Sequence, residues 1–124
     1  IMDLKMNPIE ADLPRVNSTA KYPIGNQVKH RIFGFRGVIF DVDPVFSNSE
    51  EWYESIPENV RPKRDQPFYH LFAEAPNNSP YVAYVSEQNL VEDDEQSEPI
   101  SHPDIEDVFE DFIDGRFVLR NKSN

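Results

Sequence analysis

The sequence predicts a mainly β protein, a small barrel of about five strands followed by a C-terminal amphipathic α-helix. Three observations point that way. Residues 21–46 hold two apolar-alternating runs around a Gly-containing turn, and they carry three of the four glycines. Residues 68–91 add two β-rich runs separated by turn residues, then a short closing run. Residues 105–113 then place apolar side chains at helical rather than strand spacing.

Taken in order, residues 1–20 show no sustained period and contain Pro8, Pro14 and the polar run Asn17-Ser18-Thr19, which predicts a flexible lead-in with no assigned role. The barrel domain is expected over 21–91. In its first hairpin Val28, His30 and Ile32 share one strand face. Val38, Phe40 and Val42 share the face of the next strand, with Ile39, Asp41 and Asp43 opposite. Gly34 suits the tight connection, Gly37 suggests a kink or bulge, and Pro44 ends the run because it has no N–H for a ladder. The polar stretch Ser47–Gln66 predicts one turn of helix over Ser49–Ile56, with Ser49 as N-cap and glutamates in the first turn. Phe68–Ala73 reads as a strand buried on both faces, and Pro76–Pro80 as a turn. Tyr81–Val85 is a second strand, and Ser86–Asn89 a helical turn before the short strand Leu90-Val91. Residues 92–124 are expected to form a disordered acidic linker and a helix. Ile105, Val108, Phe109, Phe112 and Ile113 make the helix stripe, Pro103 suits its first turn and Gly115 its C-cap.

The net charge of −11 is uneven, because residues 92–124 carry −8 of it. Such an acidic segment repels phosphate and reads as a solvated or partner-facing unit. With no cysteine there is neither a disulfide framework nor a thiolate site. No run approaches the roughly 18 apolar residues of a membrane span, and no signal-type apolar region precedes the hairpin. A cytoplasmic protein without membrane contact is the expectation.

An ordered set of residues resembles one family. It comprises Gly25-x-x-Val28-x-His30, Gly34-x-x-Gly37-Val38-Ile39 and Asp41-x-Asp43-Pro44, then Phe68-Tyr69-His70-Leu71 and Tyr84-Val85-x-Glu87-x-Asn89-Leu90. Over residues 21–91 the chain is similar to the small heat shock protein HspQ and related YccV-like proteins, described as hemimethylated DNA-binding. The resemblance implies an SH3-like barrel, a stress-response setting, and self-association, with a trimer as one form. It implies two functions: binding hemimethylated DNA, and serving as an adaptor or specificity factor for the ATP-dependent protease Lon, with effects on replication-initiator levels. The first 20 residues and the acidic C-terminal segment depart from the family pattern.

Candidate DNA contacts are Lys29, His30, Arg31 and Arg36 on the hairpin, with Arg61, Lys63 and Arg64 in the long loop, since duplex binding needs cations set against phosphates. The bland alternative is that these charges only solubilise an acidic chain. Candidate protein anchors are Trp52, Tyr53 and Tyr69, together with Phe109 and Phe112 on the helix stripe. Against that stands the ordinary outcome, in which these rings form the barrel wall and the helix packs on its own domain. Asp41 and Asp43 are more simply turn-forming groups than an acid–base pair. His30, His70 and His102 are scattered, no zinc-like spacing occurs, and no cofactor fingerprint appears. The sequence therefore predicts a non-catalytic binding protein with no cofactor or metal. The primary expectation is a protease adaptor whose direct partner is protein, the protease or its substrate. The alternative is a module recognising hemimethylated DNA, weakly on charge grounds.

Overall fold

Five antiparallel strands form the main sheet: β1 (Gln27–His30), β2 (Arg36–Asp43), β3 (Phe68–Glu74), β4 (Pro80–Ser86) and β5 (Leu90–Glu92). The structure, a computed structural model, describes residues 20–74, 77, 79–95 and 98–121. The expected lead-in at 1–20 therefore lies, save its last residue, outside the described residues. The strand order is β4-β3-β2-β1-β5. All five anticipated strands form, but the closed barrel does not. β4 pairs with β3 and β5 with β1, and the two edge strands do not pair with each other. The sheet curls far enough for both edges to share one core, since Ala83 and Val85 from β4 pack with Leu90, Val28, Ile39 and Leu71.

The other face of the sheet is covered by the C-terminal segment. Val38 and Phe72 pack there against Ile100, Ile105, Phe109 and Phe117. Covering this face removes the need for closure to bury it. Each large side chain so buried contributes about 1.5–3 kcal/mol.

That segment is not the expected helix. A single α-turn, α2 (Ile105–Val108), leads directly into a hairpin of β6 (Phe109–Ile113) and β7 (Arg116–Leu119). The turn is Asp114-Gly115, with φ of 55° and 79°. Two successive positive-φ residues make the primed turn whose twist matches paired strands, so Gly115 is a hairpin residue and not a helix cap. An irregularity between Phe109 and Asp111 keeps Phe109 buried and Phe112 partly buried against the same core, which mimics helical spacing in the sequence. The hairpin is locked to the sheet at Gly25. Phe117 N donates to Gly25 O at 3.0 Å, and a Cβ on Gly25 would sit 2.1 Å from Phe117 O.

Two further expectations are corrected. The bulge falls between Ile39 and Asp41, not at Gly37, which pairs regularly with Val28 and Ala73. One residue out of step moves Val42 to the face of Ile39, while Val38 and Phe40 remain on the opposite one. The described part of the acidic link is not free either. Gln27, buried on β1, donates to Glu98 O at 3.1 Å and accepts from Ile100 N at 2.7 Å. The long connection after β2 holds α1 (Glu50–Ser55), capped as expected by Ser49 Oγ accepting from Trp52 N at 3.0 Å. 3-10 turns follow at Glu58–Val60 and Glu87–Asn89.

Candidate nucleic-acid interface

The seven candidate cations and imidazoles separate into structural and available groups. Arg36 is structural. Its Nε donates to Asp93 Oδ2 at 2.9 Å and Nη1 to Glu74 Oε1 at 3.3 Å, while Nη2 reaches Glu98 O at 2.5 Å. The Asp93 side chain is fully buried, so this guanidinium compensates a buried charge and anchors the acidic link. Arg61 wraps the end of α1, donating to Ile56 O and Glu54 O at 2.8 and 3.0 Å. These are carbonyls left orphaned where the helix stops. Arg64 grips Glu50 through both Nη atoms, at 2.5 and 2.7 Å, and lies over the Tyr53 ring at 4.1 Å. That bidentate bond raises the Arg64 pKa further and lowers that of Glu50. Lys29 pairs with exposed Asp94 at 3.6 Å.

His30 is buried and turned inward. Its Nδ1 accepts from Ile32 N and Phe33 N at 3.1 and 3.0 Å, which fixes the β1–β2 turn. Burial, with Arg31 beside it, lowers its pKa, so it is held neutral. The acceptor role of Nδ1 leaves Nε2 as the protonated nitrogen of the neutral ring.

Arg31 and Lys63 remain, both exposed and, among the described residues, without a carboxylate in ion-pair reach. The fold brings them to one place. Arg31 Nε donates to Gln88 O at 2.9 Å, and Lys63 N donates to Gln88 Oε1 at 3.2 Å. Gln66 clamps the same turn, donating Nε2 to Gln88 Oε1 at 2.6 Å and accepting from Gln88 N at 2.9 Å. Lys21, which sequence reasoning passed over, reaches this turn too, through its N–H to Glu87 Oε2 at 2.8 Å. The 3-10 turn 87–89 thus gathers three basic residues from chain positions far apart, Arg31 by its guanidinium and Lys21 and Lys63 by backbone N–H, a juxtaposition that no local sequence signal carries.

A cavity of about 310 Å³ opens beside this turn, between the β1–β2 turn, the long connection and β4. Phe33, Trp52, Val60 and Tyr84 make apolar walls, and His30 and Asn89 add polar groups. Of the expected protein anchors, Trp52 is half-buried here, with its ring edge-on to Tyr84 at 5.3 Å. Tyr53 is half-buried and bonds Pro62 O at 2.5 Å. Tyr69 and Phe109 are core residues with 0% and 2% exposure, which removes them as exposed anchors. Tyr69 Oη accepts from Lys21 N and donates to Glu87 Oε2 at 2.6 Å, and burial with this bond raises its pKa. Phe112 is partly buried in the C-terminal hairpin.

Asp41, Asp43 and His70 bring potential ligand atoms within 4.8 Å of one another. The bonding there is already internal. Asp43 Oδ2 takes His70 Nε2 at 3.0 Å and Tyr84 Oη at 2.8 Å, while Asp41 Oδ1 accepts from Val42 N. His70 is therefore a partly exposed, partnered imidazole rather than a core one, and Asp43 ties β2 to β3 and β4 rather than a turn. No helix among the described residues is long and apolar enough to cross a membrane.

Residues 20–116 match the YccV-like family, described as "Hemimethylated DNA-binding protein YccV like". The match extends past the strands into the segment that covers the second face of the sheet.

Proposed function

The chain belongs to the YccV-like family, and from that premise we propose that it is a non-catalytic module that binds hemimethylated DNA. The family match over 20–116 is the observation that carries this reading. Supporting it, the exposed residues Lys21, Arg31 and Lys63 are bonded to the 87–89 turn, Arg31 by its guanidinium and the two lysines by backbone N–H, and among the described residues no ion pair holds their side chains. An SH3-like description of the curled sheet belongs to the same reading, since the strand order places β5 beside β1 at one edge. With three available cations and a net charge of −11, duplex binding is weak and salt-sensitive. Titration of hemimethylated, fully methylated and unmethylated duplexes of one sequence, at two salt concentrations, tests it. A preference for the hemimethylated duplex is expected, with a log–log salt slope near −0.9 for each phosphate neutralised. Equal affinity for all three would overturn it.

One observation favours a second reading, the protease adaptor acting on replication-initiator levels. β4 is an edge strand that leaves Tyr81 and Val82 exposed, a surface to which an extended peptide can add as a further strand. Degradation of a substrate by the protease Lon, with and without this protein, tests that reading. Self-association belongs to the same proposal, and sedimentation at several concentrations tests it.

A further inference from the structure

We propose that the cavity beside the 87–89 turn receives a methylated nucleobase extruded from the bound duplex. This rests on the hemimethylated-DNA reading and assigns it a recognition pocket.

Four features of the cavity converge. Its walls are ring faces and aliphatic groups, with Phe33, Trp52, Tyr84 and Val60 around about 310 Å³. That is the low end of small-ligand pockets, suited to a planar heterocycle and its methyl group. Its polar groups are few, and apart from exposed Ser55 they are buried: His30, Ser86 and Asn89 are 6%, 2% and 7% exposed. Ser86 Oγ is, among the described residues, the buried side-chain polar atom with no hydrogen-bond partner. Such a group costs stability unless something satisfies it. Phe33, at the tip of the β1–β2 turn, is 63% exposed and stacked on His30 at 4.5 Å. Two backbone N–H bonds to His30 Nδ1 and a Gly34 N bond to His30 O at 2.9 Å build the turn that presents this ring. Finally, basic residues flank the lining in sequence: exposed Arg31 follows His30, and exposed Lys63 follows Pro62, both of which line the cavity.

Basic residues beside the lining and rings within it match the division of a nucleotide into phosphate and base. Stacking of one base on these rings offsets the cost of taking it out of the duplex, and base extrusion is the way a protein reaches atoms hidden in a stacked duplex. The methyl group would lie against the apolar wall, which distinguishes a methylated from an unmethylated strand.

The chain has one tryptophan, Trp52, in the cavity wall, which makes entry directly visible. Hemimethylated duplexes carrying either N6-methyladenine or 5-methylcytosine would be titrated while end-label anisotropy and Trp52 emission are both recorded. A 2-aminopurine beside the methylated base reports unstacking. The expected result, for one of the two bases, is quenching of Trp52 and brightening of 2-aminopurine with the midpoint seen by anisotropy. Phe33→Ala, at an exposed position, should weaken that duplex about fivefold or more. Anisotropy changes with both emissions and F33A affinity unaltered would sink the pocket and leave DNA binding standing. No anisotropy change with any duplex would remove both.

Discussion

Replacing Arg36 by alanine separates a structural cation from a DNA contact. The side chain is 18% exposed and holds the fully buried Asp93 carboxylate at 2.9 Å. Once it is gone, Asp93 keeps Glu95 N at 3.1 Å and Gln27 Nε2 at a long 3.5 Å. Removing one partner of a buried ion pair typically costs 3–5 kcal/mol. Partial solvent access at Arg36 places this one at the low end, about 3 kcal/mol. For a domain of this size that corresponds to a fall in Tm of roughly 12 °C. The assay is thermal and urea unfolding followed by circular dichroism, on R36A, D93N and the double variant. Because the isolated charge is the damage, R36A/D93N should recover at least about 1 kcal/mol relative to additivity. A loss below about 1 kcal/mol in R36A, or strict additivity in the cycle, would refute the assignment of Arg36 as the anchor of the acidic link.

Other expectations follow from single contacts. Gly25→Ala should destabilise by on the order of 3 kcal/mol in urea unfolding, since φ is +94° and the added Cβ meets Phe117 O. Phe109→Ala should cost about 3–5 kcal/mol in the same assay, which an extraneous appendage would not. His30 has a lowered pKa in the fold, so the unfolded chain binds its proton first. Its contribution to stability is therefore full above about pH 6.5 and is lost as pH falls through the folded value. His30→Gln should flatten that part of the stability–pH curve measured by urea midpoint. In DNA binding, Arg31→Ala and Lys63→Ala should each lower the salt slope by about 1, whereas Arg64→Ala, already paired with Glu50, should leave it unchanged.

The strands and the capped helix turn were legible because each is a local pattern. Val28 to Val42 alternates around Gly34, and Ser49 stands before two glutamates. The C-terminal error has an equally local cause. Ile105, Val108, Phe109, Phe112 and Ile113 fit a helical period, yet Asp114-Gly115 followed by Arg116-Phe117-Val118-Leu119 carried the competing hairpin signal. A two-residue primed turn decided the matter. The bulge beside Phe40 left no comparable mark, because an extra residue in one strand is defined only against its partner, β3. Partnering also explains the misplaced cations. Arg36 and Arg31 look alike in sequence, but the first lies opposite a carboxylate 57 positions away and the second beside Gln88. Side-chain exposure and long-range ion pairs are products of packing, so the available basic group and the cavity became visible only in the folded chain.

The measurement that bears most directly on where this protein meets DNA is amide chemical-shift mapping during titration with a hemimethylated duplex. Shifts concentrated at Lys21, Arg31, Phe33, Lys63 and 87–89, with Trp52 included and Phe109 to Leu119 unmoved, are the predicted result. Shifts confined to the C-terminal hairpin or the β4 edge would contradict the account and move the DNA contact to that surface, whereas no shifts at all would turn attention to a protein partner.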